Sequence, residues 1–188
     1  MITHDKIPLG ITCIFQTNIF SKSSKIHILP KNTMSNTYTQ LFIHIVFAPM
    51  HKAALIKSDF EEELYKYITG IAKNHRHKLL CINGTEDHIH ILIGLNPEQS
   101  ISVLVQEIKK SSSKWINDRH LCLGRFEWQR GYGAFTYSKS HVKQVIKYIE
   151  NQKSHHRKIS FLDEYKSFLK KYEVEYNPNF VFVNPRIN

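Results

Sequence analysis

Hydrophobic and polar positions alternate along several short stretches of the chain, the pattern typical of strands that have one face in a core. Segment 87–95 has aliphatic residues at alternate positions, namely Ile89, Ile91, Ile93 and Leu95. The positions between them contain two histidines and a leucine: His88, His90 and Leu92. Successive strand side chains point to opposite faces, so the pattern predicts a buried aliphatic face and two imidazoles side by side on the other. Segment 37–47 alternates similarly and places His44 on its less apolar face. Two more strands are predicted at 79–82 and 126–137, the first followed by an Asn83-Gly84 turn.

Other segments have apolar residues every three or four positions, which is the helical period. Ser58 and Glu61 have the spacing of a capping box and predict a helix that lasts to about Asn74. Ser100 precedes a second periodic stretch and is its predicted N-cap. Two more helices are predicted at 140–155 and 160–171.

The order of these elements predicts the fold class. Strand–helix–strand–strand–helix–strand is the ferredoxin-like, split βαβ arrangement, an α+β antiparallel sheet with both helices on one face. The helix at 140–155 would be a C-terminal addition that contains a tyrosine, Tyr148. The second face of the sheet is expected to be open and to present His88 and His90.

The chain has 188 residues, enough for one domain with tails. Segment 1–33 shows neither the alternation of a strand nor the three-to-four-residue period of a helix over any sustained length. We therefore expect it to be a disordered or non-native N-terminal extension, with Met34 as a candidate native start. The predicted domain is 34–183, followed by a tail at 184–188.

Charge adds a functional indication. The formal net charge is +10, and four lysines and one aspartate precede residue 34, so +7 belongs to the rest of the chain. A basic protein with 12% aromatic residues suggests a polyanionic partner, most often nucleic acid, although basic enzymes are also common. No apolar run has the length of a membrane span. The three widely spaced cysteines do not indicate a disulfide framework and favour a reducing cytoplasm.

Two imidazoles on one strand face can bind one metal ion. The chain has 12 histidines, so one such pair is weak evidence. His75 and His77 have the same spacing at the polar end of a predicted helix, where side chains two positions apart diverge by about 200°. We interpret that second pair as solvated and His88 with His90 as the candidate metal site.

Three segments together resemble one family of enzymes. They are 88–90, with the pattern His–hydrophobe–His; 128–132, Trp-Gln-Arg-Gly-Tyr; and 148–152, Tyr-Ile-Glu-Asn-Gln. The set is similar to the single-tyrosine HUH transposases of bacterial insertion sequences and to the related REP-associated tyrosine transposases. The resemblance extends from about Met34 to Phe182.

The resemblance implies a role for each candidate residue. His88, His90 and Gln152 would be ligands of Mg²⁺ or Mn²⁺, and Tyr148 would be the nucleophile. The expected reaction is cleavage and rejoining of single-stranded DNA through a 5′-phosphotyrosine, with recognition of hairpins at the element ends. A domesticated REP-type relative is also compatible with these motifs.

The family also implies partners. We expect a cytoplasmic bacterial homodimer in which the tyrosine helix acts in cis or in trans, with Gly131 and Gly133 as a flexible joint. The candidate DNA contacts are basic: Lys109, Lys110, Lys114, Arg119, Arg130 and Lys143. The alternative function is a non-catalytic protein that binds single-stranded nucleic acid.

Overall fold

The computed structural model describes residues 12–13, 38–50, 54–178 and 181. The predicted N-terminal extension, apart from residues 12–13, and the tail at 184–188 lie outside these ranges. None of the helices in the described ranges combines the length and apolar character needed to cross a membrane.

The strands form one antiparallel sheet in the order β1-β3-β4-β2-β5. Their bounds are Thr12–Cys13 for β1, Phe42–Phe47 for β2, Lys78–Thr85 for β3, His88–Gly94 for β4 and Gly133–Tyr137 for β5. The four longer strands have the order of a ferredoxin-like sheet, so the predicted fold class is confirmed. The last strand is shorter than predicted, because Trp128 makes only an isolated bridge to Pro49.

In the part of the chain that the structure describes, five α-helices accompany the sheet: α1 at Glu61–Asn74, α2 at Ile101–Asp118, α3 at Val142–Glu150, α4 at Gln152–His155 and α5 at Phe161–Lys171. A 3₁₀ turn at Lys139–His141 leads into α3, so the single helix predicted at 140–155 is divided into three pieces. Helices α1 and α2 pack on the isoleucine face of the sheet as predicted.

The two predicted N-caps have different outcomes. The Ser100 hydroxyl accepts a hydrogen bond from the Val103 amide at 3.3 Å, which confirms the cap of α2. The capping box of α1 is wrong, because the helix begins after Phe60. Glu61 instead accepts a hydrogen bond from the Tyr65 hydroxyl and pairs with Lys153, so its carboxylate is not available to cap the helix.

The second face of the sheet is covered, which corrects the expectation that it is open. Apolar residues of α3 pack on Phe42 and Leu92, and apolar residues of α5 pack on Val46 and Phe135. Both helices are amphipathic, and the sheet face beneath them is apolar enough to bury their stripes. The histidines of this face are therefore buried beneath two helices.

Asn83 and Gly84 lie inside β3, so the predicted turn is wrong; the chain turns at Glu86-Asp87. Asn83 is buried, and its Nδ2 donates to the carbonyls of Ile149 and Glu150 at 2.9 and 3.0 Å. A Cβ at position 84 would collide with the backbone oxygen of His88 across the hairpin. Asn83 thus binds the end of α3, and Gly84 allows two strands to approach closely, so neither residue forms a turn.

Two further expectations are corrected. His77 is buried, with 2.6 Å between its Nε2 and Gln99 Oε1, and His75 also contacts the Gln99 amide, so this pair is not solvated. Helix α1 ends just before both residues, and Gln99 packs into the connection they form.

Cys81 is disulfide-bonded rather than a free thiol.

Candidate active site

His88 lies at the start of β4 and is completely buried. Its Nδ1 is 2.7 Å from Asp87 Oδ1 and 2.8 Å from Thr85 Oγ1. Burial raises the pKa of Asp87, but the hydrogen bonds from His88 and Thr85 and the charge of the nearby histidines together outweigh burial and lower this pKa. A carboxylate that contacts Nδ1 fixes the ring and directs Nε2 toward the buried space between β4 and the C-terminal helices.

His90 is oriented by His44 on the neighbouring strand. The distance between His44 Nε2 and His90 Nδ1 is 2.8 Å, and the two rings are stacked with centroids 5.0 Å apart. His44 is therefore a hydrogen-bonded histidine of the sheet. Burial lowers the pKa of His90 to about 4 and holds the pKa of His44 well below its usual range, so both rings are neutral at pH 7.

Gln152 and Tyr148 come to the same place from the helices above. Gln152 is buried, and its Oε1 is 3.2 Å from His88 Nε2. Tyr148 lies one turn earlier, with its ring edge-on to His90 at a centroid distance of 6.0 Å. The structure thus brings together the four residues that sequence analysis singled out.

Glu164 is a site residue that sequence analysis missed. Its Oε2 is 3.3 Å from His90 Nε2 and 3.2 Å from His156 Nε2. Its Oε1 accepts hydrogen bonds from the Tyr148 hydroxyl and from Gln152 Nε2. The sequence did contain a signal, since Glu164 lies on the stripe of Phe161 and Phe168, where a core-facing helix normally has apolar residues.

The charge of Glu164 dominates the electrostatics of the cluster. Burial alone would raise the pKa of Glu164, but its contacts with His156, His90 and Tyr148 together outweigh burial and hold this pKa far below its usual range. The pKa of Tyr148 is raised well above its usual value, first by burial and then by the negative charge of Glu164. The phenol is therefore fully protonated at neutral pH in this arrangement.

The cluster fits a divalent cation. Nitrogen or oxygen donors of His88, His90, His156 and Glu164 all lie within 4.8 Å of one another. His90 Nε2 is buried and has no hydrogen-bond partner among the described residues, although it faces the cluster. A buried polar atom of this kind is costly unless something binds it, and a neutral imidazole nitrogen is a common metal ligand.

The predicted DNA contacts fall into two groups. Four of them line one open cleft of about 1190 Å³ beside α2: Lys109, Lys110, Lys114 and Arg130. Arg119 pairs with Glu63, and Lys143 lies exposed on α3; neither lines this cleft.

Lys109 differs from the other lysines of the cleft. Its Nζ donates to the carbonyls of Gln129 and Gly131 and lies 4.9 Å from the centre of the Phe47 ring. Burial lowers the pKa of Lys109 to about 8. Lys109 therefore secures the loop before β5, while Lys110 and Arg130 are exposed to solvent.

The glycines of that loop have separate local roles. Gly131 has a φ of 80°, a backbone conformation that residues with a Cβ rarely adopt. A Cβ at Gly133 would lie 2.9 Å from Cε2 of Tyr165, so this glycine allows α5 to pack closely against β5.

The region that contains this site is similar to known proteins. A family model described as "Transposase IS200 like" matches residues 37–152. The ISDra2 transposase TnpA of Deinococcus radiodurans is 23% identical over 118 residues, covering 60% of this chain and 84% of that protein. The transposase for insertion sequence element IS200 of Salmonella typhimurium is 24% identical over 127 residues, 65% of this chain and 83% of that protein.

Solved structures give the same fold. A Deinococcus radiodurans protein described as a transposase has a TM-score of 0.50 at 22% identity, covering 63% of this chain and 95% of that one. A REP-associated tyrosine transposase bound to a REP hairpin has a TM-score of 0.51 at 14% identity, and the match covers 65% of this chain and 72% of that one. The matched family region ends at Gln152, so His156 and Glu164 lie beyond it.

Proposed function

Because the chain belongs to the family of IS200-like transposases, we propose that it cleaves and rejoins single-stranded DNA with Tyr148 as the nucleophile. The observation that supports this most is the convergence of His88, His90, Gln152 and Tyr148 in one buried cluster. Residues as far apart as 88 and 152 meet only because α3 and α4 fold onto β4.

His88, His90 and Gln152 are proposed to hold a divalent ion, Mg²⁺ or Mn²⁺. Such an ion would act as a Lewis acid toward a non-bridging oxygen of the scissile phosphate. The protein fixes both imidazoles from behind, through Asp87 on His88 and His44 on His90. These contacts leave the two Nε2 atoms directed into the cluster.

Tyr148 would attack phosphorus and form a 5′-phosphotyrosine as the P–O3′ bond breaks, and the proton lost by the phenol would balance the proton gained by the 3′-OH that is released. Because the phosphotyrosine retains the energy of the ester, rejoining to another 3′-OH needs no ATP. Glu164 Oε1 accepts the hydrogen bond of the phenol and so holds the nucleophile beside the histidines.

We propose that part of the DNA lies along the basic cleft next to α2, which packs on the sheet face opposite the histidines. Lys110, Lys114 and Arg130 line it, and contacts of this kind set affinity and salt dependence rather than sequence choice. The relative bound to a REP hairpin supports a hairpin substrate for this chain as well. We further propose that the protein acts in the bacterial cytoplasm, where such DNA is found.

The tyrosine helix lies on its own chain, since Val142, Val145 and Ile149 of α3 pack against Phe42 and Leu92. This supports cleavage in cis within each subunit of the expected homodimer. Mixing Tyr148→Phe with His88→Ala tests it: cis action predicts no recovery of cleavage, and recovery would show that the helix is exchanged between subunits.

The alternative, a non-catalytic binder of single-stranded nucleic acid, is supported by the basic cleft alone. The two functions separate in one experiment with end-labelled single-stranded DNA containing the hairpins that flank the gene. The transposase predicts a labelled protein band on a denaturing gel for the wild type with Mn²⁺, lost with EDTA or in Tyr148→Phe. A gel shift that survives Tyr148→Phe, without any covalent band, would favour the binder.

A further inference from the structure

We propose that Glu164 of α5 is itself a ligand of the divalent ion, in addition to the residues contributed by β4 and α4. This inference rests on the proposed function, since it concerns the same ion. Glu164 is only 3% exposed, and it belongs to a helix outside the matched family region, which ends at residue 152.

The distances between donor atoms support direct binding. Glu164 Oε2 is 3.3 Å from His90 Nε2 and 3.9 Å from His88 Nε2. An ion with ligand bonds of roughly 2.0–2.2 Å places neighbouring donors roughly 3–3.6 Å apart. The carboxylate and both imidazoles are therefore close to the spacing that one shared ion requires.

Glu164 has no lysine or arginine partner among the described residues. Within the described ranges, the ion pairs of Glu164 are all with histidines: His88, His90, His155 and His156. Hydrogen bonds from Tyr148, Gln152 and His156 already stabilise this buried carboxylate, and a bound cation would add to them. His90 Nε2, buried and without a hydrogen-bond partner there, faces the same space. One divalent ion would satisfy both groups.

The two oxygens of Glu164 have different neighbours. Oε2 faces the imidazole nitrogens, whereas Oε1 accepts hydrogen bonds from the Tyr148 hydroxyl and from Gln152 Nε2, the latter at 3.0 Å. The second bond turns Gln152 Oε1 toward His88. An ion bound to Oε2 would leave Oε1 free to keep both hydrogen bonds. Glu164 would then contact the ion, Gln152 and Tyr148 at the same time.

This assignment has a consequence for metal preference. Imidazole ligands suit nickel, copper and zinc, whereas carboxylate oxygens suit magnesium and manganese. Two histidines and one amide would leave the site biased toward the first group. An anionic oxygen from Glu164 moves the preference toward Mg²⁺ and Mn²⁺.

The test is Mn²⁺ and Ni²⁺ binding by the full chain in the absence of DNA, measured by titration calorimetry after removal of metal with EDTA. Glu164→Gln keeps the shape and the Oε1 acceptor but removes the charge. We expect it to weaken Mn²⁺ binding about tenfold or more, and Ni²⁺ binding less. Asp163→Asn is the matched control, because Asp163 is exposed on the same helix, and it should stay within about twofold of the wild type.

Anomalous diffraction from wild-type crystals with Mn²⁺ provides a second measurement that does not depend on the variant folding. The expected peak lies roughly 2.1–2.5 Å from a Glu164 oxygen. A peak bonded to His88 and His90 but not to Glu164, or unchanged Mn²⁺ affinity in Glu164→Gln, would overturn this inference alone. A wild-type protein that binds no Mn²⁺ would overturn it together with the metal site of the proposed function.

Discussion

Replacing Asn83 with alanine tests whether one buried amide positions the tyrosine helix. Asn83 lies in β3 and is completely buried, and its Nδ2 donates to the carbonyls of Ile149 and Glu150 at the end of α3. The last carbonyls of a helix have no partner within the helix, so they depend on such donors. The alanine variant would leave both carbonyls without the hydrogen bond from the amide. These carbonyls lie between Tyr148 in α3 and Gln152 at the start of α4.

The expected magnitude follows from these two bonds. Each hydrogen bond contributes about 1 kcal/mol net, and a buried carbonyl left unsatisfied costs about 1–3 kcal/mol. We therefore expect Asn83→Ala to lower the free energy of unfolding by about 2–4 kcal/mol. Urea unfolding followed by circular dichroism measures this difference, and an unchanged m-value would show that the surface exposed on unfolding is the same.

Asn151→Ala is a matched control on the same helix end. The Asn151 amide also donates to a helix carbonyl, that of Lys147 at 2.7 Å, but it is exposed to solvent. Water can replace that bond, so its loss should cost no more than about 0.5 kcal/mol. Equal effects of the two variants, or a change below about 0.5 kcal/mol for Asn83→Ala, would refute the assigned role of Asn83.

Three further predictions concern the histidines and the cleft. His44→Phe should weaken Mn²⁺ binding about 10- to 100-fold in calorimetry, because His90 loses the partner that orients it; unchanged affinity would refute this. The folded-state pKa of His90 is about 4 against the usual 6.5, so the unfolded chain takes up the proton first and stability falls as pH drops between these values. In EDTA, the wild type should lose about 3 kcal/mol more than His90→Gln from pH 6.5 to 4, and parallel curves would contradict the burial of a neutral ring. Lys110→Met should reduce the salt slope of DNA binding by about 0.7–0.9, whereas Lys109→Met should mainly lower the melting temperature, since Lys109 is bonded to its own loop; the reverse pattern would refute the distinction.

Much of the fold follows from the sequence because its signals are local and periodic. Alternation in segments 37–47 and 87–95 was sufficient to predict β2 and β4 and the face on which His88 and His90 lie. The order of elements then restricted the topology to a ferredoxin-like sheet. Tyr148 and Gln152 were found because they lie one helical turn apart in a segment that resembles a family motif.

The corrections have a common physical origin in contacts between distant segments. Asn83-Gly84 is typical of a turn, but the Asn83 amide is bonded to the end of a helix more than sixty residues later. The sheet face was expected to be open because sequence periodicity shows that α3 and α5 are amphipathic without showing what they cover. Glu164 was missed for a similar reason, since its partners lie on β4, α3 and α4.

The most direct test of the account is to find which residue becomes joined to DNA. Wild-type protein would be incubated with hairpin-containing single-stranded DNA and Mn²⁺, digested with nuclease and trypsin, and analysed by mass spectrometry. Trypsin releases residues 148–153 as one peptide, since Lys147 precedes Tyr148 and Lys153 ends the segment. The account predicts a nucleotide on this peptide, joined to Tyr148 through a 5′-phosphate. A nucleotide on the peptide that contains Tyr137, or no adduct from protein that cleaves the DNA, would contradict the assignment of Tyr148 as the nucleophile.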